Sequence, residues 1–417
     1  MIIKLLGGAQ EVGRSAILLK DEDSIMLDYG IKINHKIEYP AGMPDIDALV
    51  LSHAHLDHSG SVPSLYSEML VPSFGTEPTL RLSELLLRDS LNIARKEHMK
   101  KRFSKRDMAS MMRRYTSLDY HANVDVGKFR IEMSDAGHIC GSAITLLERK
   151  TSSKNKRIVY TGDFKLQPQN LHNGAEIVKS DVLIMESTYA TREHPEREAL
   201  VKDFIEKIRE TLDSKGNVLL PVFAVGRAQE MLALLYKHGL TQYTFLDGMA
   251  RSATSIVQGY GSFINDPGLL KKAVDDTTVI SDRYERNDAL DSPSIIMTTA
   301  GMLTGGPVLN YITKLRKNSN ILLTGYQVEG TNGRTLLDSG TIMVNKNKVK
   351  IDTPASYYDM SAHAGRSDLY SYVKGSDPST VICVHGDKDN VVRLAEDFRL
   401  EGYDAYAPKI DDIIKLE

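Results

Sequence analysis

Short apolar runs that stop at a polar or glycine residue recur along the whole chain. Residues 48–51 run into Ser52-His53, residues 158–160 into Thr161-Gly162-Asp163, and residues 182–185 into Glu186. Residues 218–223, 295–300, 321–326 and 381–384 repeat the pattern, the last ending on His385. Such runs predict strands, and several finish on a residue capable of chemistry. Between them lie segments of helical period. Leu200, Val201, Phe204, Ile205, Ile208 and Leu212 fall on one helical face, with Gly216 as the C-terminal stop. Alternation of strand and helix predicts an α/β layered fold. The first 60 or so residues differ, because residues 2–6, 15–20 and 24–28 follow one another as strands and predict an antiparallel or mixed sheet. There is no internal repeat and no Pro or Gly/Ser linker, so a second domain is expected to be inserted into the first.

Composition narrows the class. At roughly 150 residues per domain, 417 residues leave room for two or three domains. Apolar residues at 41% and charged residues at 26% exclude a disordered tail and a membrane bundle. No apolar run approaches the roughly 20 residues that cross a bilayer, and residues 1–6 turn at once into Gly7-Gly8, unlike a signal peptide. Two cysteines exclude a disulfide framework and, with 16 methionines, fit a reducing compartment, so a cytoplasmic location is expected. The formal charge of −3 neither suggests nor excludes nucleic acid. It conceals one local excess: residues 88–114 hold ten basic and three acidic side chains. That run reads either as a solvated helical face or as a surface that tracks phosphates.

The chemistry concentrates in His53-Ala54-His55-Leu56-Asp57-His58, where three imidazoles and a carboxylate follow a strand directly. Imidazole nitrogen and carboxylate oxygen suit zinc. In extended backbone alternate residues share a face, so His53 and His55 can reach one ion while the next turn carries Asp57 and His58 toward a second. Four residues do not complete two sites. Candidates for the remainder are His138 in Asp135-Ala136-Gly137-His138, Asp163 after Thr161-Gly162, and His385 before Gly386-Asp387. Asp163 suits a bridging place, since a carboxylate has two oxygens. Two ions roughly 3.5–4 Å apart can activate water near neutral pH and stabilise both oxygens of an in-line phosphoryl displacement.

These residues resemble the metallo-β-lactamase superfamily, whose αββα sandwich carries zinc at one edge of its sheets. Leu51-Ser52-His53-Ala54-His55-Leu56-Asp57-His58-Ser59-Gly60 is similar to the β-CASP branch, which acts on nucleic acids. Met185-Glu186-Ser187-Thr188-Tyr189 resembles that branch's motif A, Ser361-Ala362-His363-Ala364 its motif B, and Val384-His385-Gly386-Asp387 its motif C. Residues 221–230 and 325–334 resemble it too, so the likeness spans the chain. The wording lies nearest to the endonuclease subunit of the cleavage and polyadenylation specificity factor and its archaeal relatives, in the short form without KH domains.

The resemblance implies a metallo-β-lactamase αββα sandwich with an inserted α/β β-CASP domain. Residues 1–190 and 345–417 would form the first, residues 191–344 the second, with the active site in the cleft between them. It assigns His53, His55 and His138 to one zinc, Asp57, His58 and His385 to the other, and Asp163 between the two, with Asp28 orienting the histidines. His363 becomes a candidate general acid held by Glu186, which with Asp57 completes the catalytic set. Phosphate contacts are expected from Arg227, Thr298, Thr299, Gly301 and Arg334, each of which reads equally well as turn chemistry. The expected activity is zinc-dependent hydrolysis of single-stranded RNA, as endonuclease, 5′–3′ exonuclease or both, in RNA 3′-end processing or turnover. A homodimer and RNA-processing protein partners are expected. Two rival readings are a hydrolase of a small thioester or lactam on the same scaffold and a non-catalytic partner subunit.

Overall fold

The computed structural model describes residues 1–33, 36–152 and 155–416. The chain divides into two compact units. The first comprises Met1–Pro168, Asn173–Glu193 and His363–Glu417, and the second Gln169–His172 and His194–Ala362.

The first unit is built on two seven-stranded sheets. One runs in the order Ile413–Lys415, Ile2–Gly7, Ala16–Lys20, Ser24–Leu27, Ala48–Val50, Ser73–Gly75 and Tyr115–Ser117. The other runs Asp404–Tyr406, Thr380–Val384, Val182–Glu186, Lys156–Tyr160, Ala143–Arg149, Phe129–Asp135 and Asn123–Val126. Both are mixed; for the first this is what the opening strands predict. Strand periodicity explains their packing, because successive side chains point to opposite faces. Ile3, Leu5, Ile17, Leu19, Ile25 and Leu27 of the first sheet bury against Ile131, Met133, Ile158, Val182, Ile184 and Ile382 of the second. The alternate residues face outward onto helices. Leu18, Met26 and Leu49 meet Leu80, Leu87, Leu91, Met108 and Met111. Leu183, Met185 and Val381 meet Leu369, Tyr372, Leu394 and Phe398. Strands covered on both faces read as continuous apolar runs, which is why residues 182–185 and 381–384 stand out in the sequence. The result is four layers, αββα.

The second unit holds a six-stranded sheet in the order Thr278–Val279, Thr244–Asp247, Ser294–Thr298, Asn217–Pro221, Asn320–Leu323 and Ala355–Tyr357. Every pairing in it is parallel. One face buries Val218, Leu220, Leu246, Ile295 and Met297 against Phe204, Ile208, Met231 and Leu235. The other buries Leu219, Ile296 and Ile321 against Val308, Tyr311 and Leu336. The helix expected around residues 200–212 is Arg197–Asp213.

Candidate metal centre

The strand Ala48–Val50 delivers Ser52 and His53, and a single helical turn, Leu56–Ser59, carries Asp57 and His58. That turn lies against residues 29–31 of the neighbouring loop: Tyr29 N donates to His58 O at 2.9 Å and Ile31 N to Leu56 O at 2.9 Å. Gly30 makes the approach possible, because a Cβ there would sit 1.8 Å from Asp57 O. Gly162, at φ 55°, does the same for Asp163; a Cβ there would lie 2.7 Å from Ser52 Cβ. His138 sits in a loop closed by Ser142, whose Oγ accepts His138 N at 3.2 Å. The loop's Gly141 O takes hydrogen bonds from Thr76 and Thr79 hydroxyls at 2.7 and 2.9 Å. His385 follows the strand Thr380–Val384 at φ 46°, its N donating to Gly8 O at 2.6 Å and its O accepting from Ser187 N at 3.1 Å. Left-handed backbone at a residue other than glycine costs about 1–3 kcal/mol and persists where the surroundings impose it.

The first unit thus brings together every residue expected at the metals. One ligand atom from each of His53, His55, His138 and Asp163 lies within 4.8 Å of the others, and the same holds for Asp57, His58, Asp163 and His385. Asp163 belongs to both groups. Its Oδ2 lies 3.6 Å from His53 Nε2 and 4.0 Å from His138 Nε2, while its Oδ1 lies 3.3 Å from His58 Nε2 and 2.8 Å from His385 Nδ1. His55 Nδ1 and His138 Nε2 are 3.2 Å apart. Asp57 Oδ2 is 3.4 Å from His385 Nε2.

The donor set fits metal. His53 Nε2, Asp163 Oδ1 and both ring nitrogens of His385 are buried and make no properly angled hydrogen bond, even where they lie within hydrogen-bonding distance. Buried polar atoms left that way are costly, and nitrogen and oxygen atoms aimed at a common centre are what a divalent cation takes up. The charges agree. Burial pushes the His53 imidazolium down, and His58 reinforces it. Burial opposes protonation of His385 as well, but Asp163 and Asp57 outweigh it and lift that group to about 10. His58 is likewise raised by Asp163 and Asp28 against its burial. Burial would raise Asp163, yet His385 and His58 hold it well below the usual carboxylate range. The carboxylates at the centre thus favour positive charge on the imidazoles around them, and a metal ion can supply that charge instead.

Asp28 lies directly beneath this cluster, fully buried and at φ 56°. Its Oδ1 accepts from Ser52 N, and its Oδ2 from Ser52 Oγ, His58 Nδ1 and Tyr160 OH, each at 2.7 Å. The contact to His58 Nδ1 leaves Nε2 facing Asp163. Ser52 Oγ also lies 3.1 Å from His53 Nδ1. Ser52 and Tyr160 were not singled out from the sequence. Their only signal was position, one residue before the histidine run and three before Asp163.

Glu186 and His363 form a pair beside the cluster. His363 Nδ1 is 3.1 and 3.0 Å from the two Glu186 oxygens, and its Nε2 points inward, 4.0 Å from Asp163 Oδ2. Phe164 N donates to Glu186 Oε1 at 2.9 Å, and Lys165 Nζ donates to His363 O at 3.0 Å. Burial lowers the His363 imidazolium, but Glu186 and Asp163 raise it more, so the net shift is upward. His363 keeps 22% of its side chain exposed and Asp57 32%, and His55 is also partly exposed, whereas His53, His58, His138, Asp163 and His385 are buried.

The residues expected to meet phosphate all belong to the second unit, at or beyond the carboxyl ends of its strands. Arg227 opens the helix Arg227–Lys237 after Gly226 and is mostly buried. Thr298 and Thr299 are buried at the end of Ser294–Thr298. Gly301 packs on the backbone of residues 222–223, where a Cβ would sit 2.9 Å from Phe223 N. Arg334, half exposed, holds Asp338 through two 2.8 Å bonds.

Layers and cluster together define a metallo-β-lactamase fold with a second α/β unit inserted. Sequence comparisons agree. Residues 228–336 match the family described as Beta-Casp domain, residues 348–408 the Zn-dependent metallo-hydrolase RNA specificity domain, and residues 9–212 the Anti-Pycsar protein Apyc1 family. The chain is 38% identical to Probable RNase MJ4 of Methanocaldococcus jannaschii, covering 100% of both. It is 36% identical to RNase aCSPSF2 of Saccharolobus solfataricus, over 99% of this chain and 85% of the relative. It is 33% identical to the transcription termination factor FttA of M. jannaschii, over 100% of this chain and 72% of that one. The chain belongs to the β-CASP family of metallo-β-lactamase ribonucleases. A solved Enterococcus faecalis protein of unknown function shares the fold, with a TM-score of 0.66 at 16% identity over 100% of this chain and 99% of that one.

Proposed function

We propose that the protein is a two-zinc ribonuclease that hydrolyses phosphodiester bonds of single-stranded RNA. The observation that carries this is the convergence of five imidazoles and the Asp57 carboxylate on Asp163, with the Glu186 and His363 pair against them. In this reading His53, His55 and His138 hold one zinc, Asp57, His58 and His385 the other, and Asp163 serves both. Bound there, the two ions supply a water acidified toward neutral pH and positive charge for both oxygens of an in-line displacement.

The chain's own residues do the rest. Asp28 fixes His58 so that Nε2 faces the centre, and Ser52 steadies His53. Glu186, itself held by Phe164 N, takes the Nδ1 proton of His363 in a hydrogen bond and leaves Nε2–H directed inward. The raised affinity of His363 for its proton suits a general acid, which gives that proton to the departing 3′ oxygen. The products are then a 5′-phosphate and a 3′-hydroxyl. Arg227, Thr298, Thr299, Gly301 and Arg334 lie where open parallel sheets bind ligands, outside the carboxyl ends of the strands, and are the proposed RNA contacts. A cytoplasmic homodimer acting in RNA 3′-end processing or turnover completes the reading. Among the described residues no helix is long and apolar enough to cross a membrane.

The test combines metal analysis with product mapping on 5′-labelled RNA carrying a triphosphate or a monophosphate. Asp163→Ala is expected to lose bound zinc and cleavage together. Full turnover by metal-depleted protein refutes the mechanism, and the position of the first labelled product separates internal cleavage from exonucleolytic attack at the 5′ end.

A further inference from the structure

The helix Glu77–Lys96 changes character along its length. Its first half pairs charges at helical spacing, Arg81 with Glu77 and Arg88 with Glu84. Beyond Arg88 that interleaving stops. Residues 95–114, which end the helix, turn, and form the next helix Lys105–Arg114, carry nine basic and two acidic side chains. With the chain at −3, everything outside this stretch sums to −10.

Arg95, Lys96, Lys100, Lys101, Lys105, Arg106 and Arg113 are all exposed, and none makes an ion pair with another described residue. One of the two acids is occupied, since Asp107 caps the second helix by accepting from Ser104 N and Oγ at 2.7 and 2.8 Å. The turn is no loose tail. Phe103, Met108 and Met111 bury in the unit's core, and the Arg102 guanidinium lies 4.2 Å over the Tyr39 ring. Like charges held close on a fixed scaffold repel one another, a cost that a polyanion removes.

The same helix is tied at its other end to the metal centre. Thr76, its N-cap, and Thr79 donate to Gly141 O in the loop that carries His138. Twenty residues at about 1.5 Å each place the basic end about 30 Å from that anchor. A stacked strand at about 3.4 Å per nucleotide spans this in about nine nucleotides.

We propose that the basic turn joining these two helices binds the phosphates of RNA at a distance from the cleaved bond. This rests on the ribonuclease reading and adds to it a sequence-independent, length-dependent source of affinity. The experiment uses the whole zinc-loaded protein and two single-stranded RNAs, of about 30 and about eight nucleotides, so that only the longer reaches the turn. Binding is followed by fluorescence anisotropy across a salt series, and cleavage is followed on both RNAs.

Replacing Lys100, Lys101 and Arg106 with Ala removes three cations. The slope of log affinity against log salt is expected to fall by about two for the long RNA, equal to about 100-fold weaker binding near 0.1 M salt. Cleavage of the short RNA stays at the wild-type rate. Exchanging cation for cation, with Lys100→Arg, Lys101→Arg and Arg106→Lys, restores the slope. An unchanged slope with cleavage intact overturns the proposal alone and leaves the surface to a protein partner. Equal weakening on both RNAs also overturns it, since length then plays no part. Failure of the wild type to cleave either RNA brings down the ribonuclease reading and this proposal with it.

Discussion

Asp28→Asn tests how far the metal centre depends on the carboxylate beneath it. The wild-type group accepts four hydrogen bonds, from Ser52 N, Ser52 Oγ, His58 Nδ1 and Tyr160 OH, all at 2.7 Å and all buried. An amide of the same shape keeps one oxygen and turns the other position into a donor. If the NH₂ takes the Oδ1 place it faces Ser52 N–H, which has no second state. If it takes the Oδ2 place it faces three donors at once. At least one bond to a charged acceptor is therefore lost, at about 1.5–3 kcal/mol. The other three change from charge-assisted to neutral, at about 0.5–1 kcal/mol each, for a total of about 3–6 kcal/mol. His58 also loses the partner that fixes its tautomer, so zinc affinity is expected to fall about 10- to 100-fold. Thermal unfolding of metal-stripped protein reads the first effect, and competition with a chromophoric chelator reads the second. Tyr160→Phe is the control: it removes one donor, leaves the carboxylate, and is expected to cost about 1–2 kcal/mol with zinc affinity within a few-fold of wild type. An Asp28→Asn protein that melts with the wild type and competes equally for zinc would show that the four short bonds hold nothing in place.

Three further outcomes follow from the same geometry. His363→Ala is expected to retain its bound metal and slow cleavage by about 10²–10⁴-fold, with the alkaline limb of the pH profile altered, because a general acid stops working as pH rises past its raised value; unchanged kinetics would remove the general-acid role. Zinc loading of stripped protein at pH 7 should release protons. His385, held near 10 by Asp163 and Asp57 against its burial, and His58, also raised, carry protons that the metal must displace. Affinity then climbs with pH, about tenfold per unit for each proton displaced, and calorimetry in buffers of different ionisation enthalpy that detects no release would refute this. In the second unit, Asp247 is fully buried and takes Arg286 Nε at 2.9 Å and Tyr311 OH at 2.8 Å. Burial alone would raise its carboxyl, but Arg286 and Tyr311 bring it below its ordinary value. A lowered group stabilises above its unfolded value and loses that contribution as pH falls through the folded one. With Arg286 38% exposed, Arg286→Ala is expected to cost about 1–2 kcal/mol at pH 7 and progressively less as pH falls below about 4, read as melting-point differences; a cost that stays equal down to about pH 2 would contradict the assignment.

The layers of the fold were legible where strands are covered on both faces. Residues 158–160, 182–185 and 381–384 are unbroken apolar runs because Val182 and Ile184 face the other sheet while Leu183 and Met185 face helices. Half-covered strands were harder to read. Asn123–Val126 at the sheet's edge and its neighbour Phe129–Asp135 alternate polar with apolar side chains and gave no run to notice. The hairpin Thr341–Val344 with Asn347–Lys350 is short and half polar, and turns through Asn345 and Lys346 at positive φ; Asn suits such a turn, but Lys346 stands where a glycine would have marked it.

The centre itself was legible for a different reason. Metal ligation restricts a position to a few residue types, so histidines and aspartates at strand ends announce themselves in sequence, whereas the groups that aim them do not. Ser52 and Tyr160 do their aiming with a hydroxyl and a backbone N–H, which are common everywhere and acquire meaning only when the Asp28 carboxylate is found 2.7 Å away. Asp28 and His385 share a further property that no residue-type rule reveals: both are left-handed, at φ 56° and 46°. Each follows a buried strand, and the turn to positive φ ends the extended run just where the side chain must face the cluster. The strain is sustained by bonds from both sides, Asp28 N to Val50 O at 2.9 Å and His385 N to Gly8 O at 2.6 Å. The sandwich therefore does more than present ligands on its edge. It holds the backbones of His385, beside the shared carboxylate, and of Asp28, beneath the histidines, in a conformation the isolated chain would leave, which is how residues distant in sequence come to be aimed at one centre.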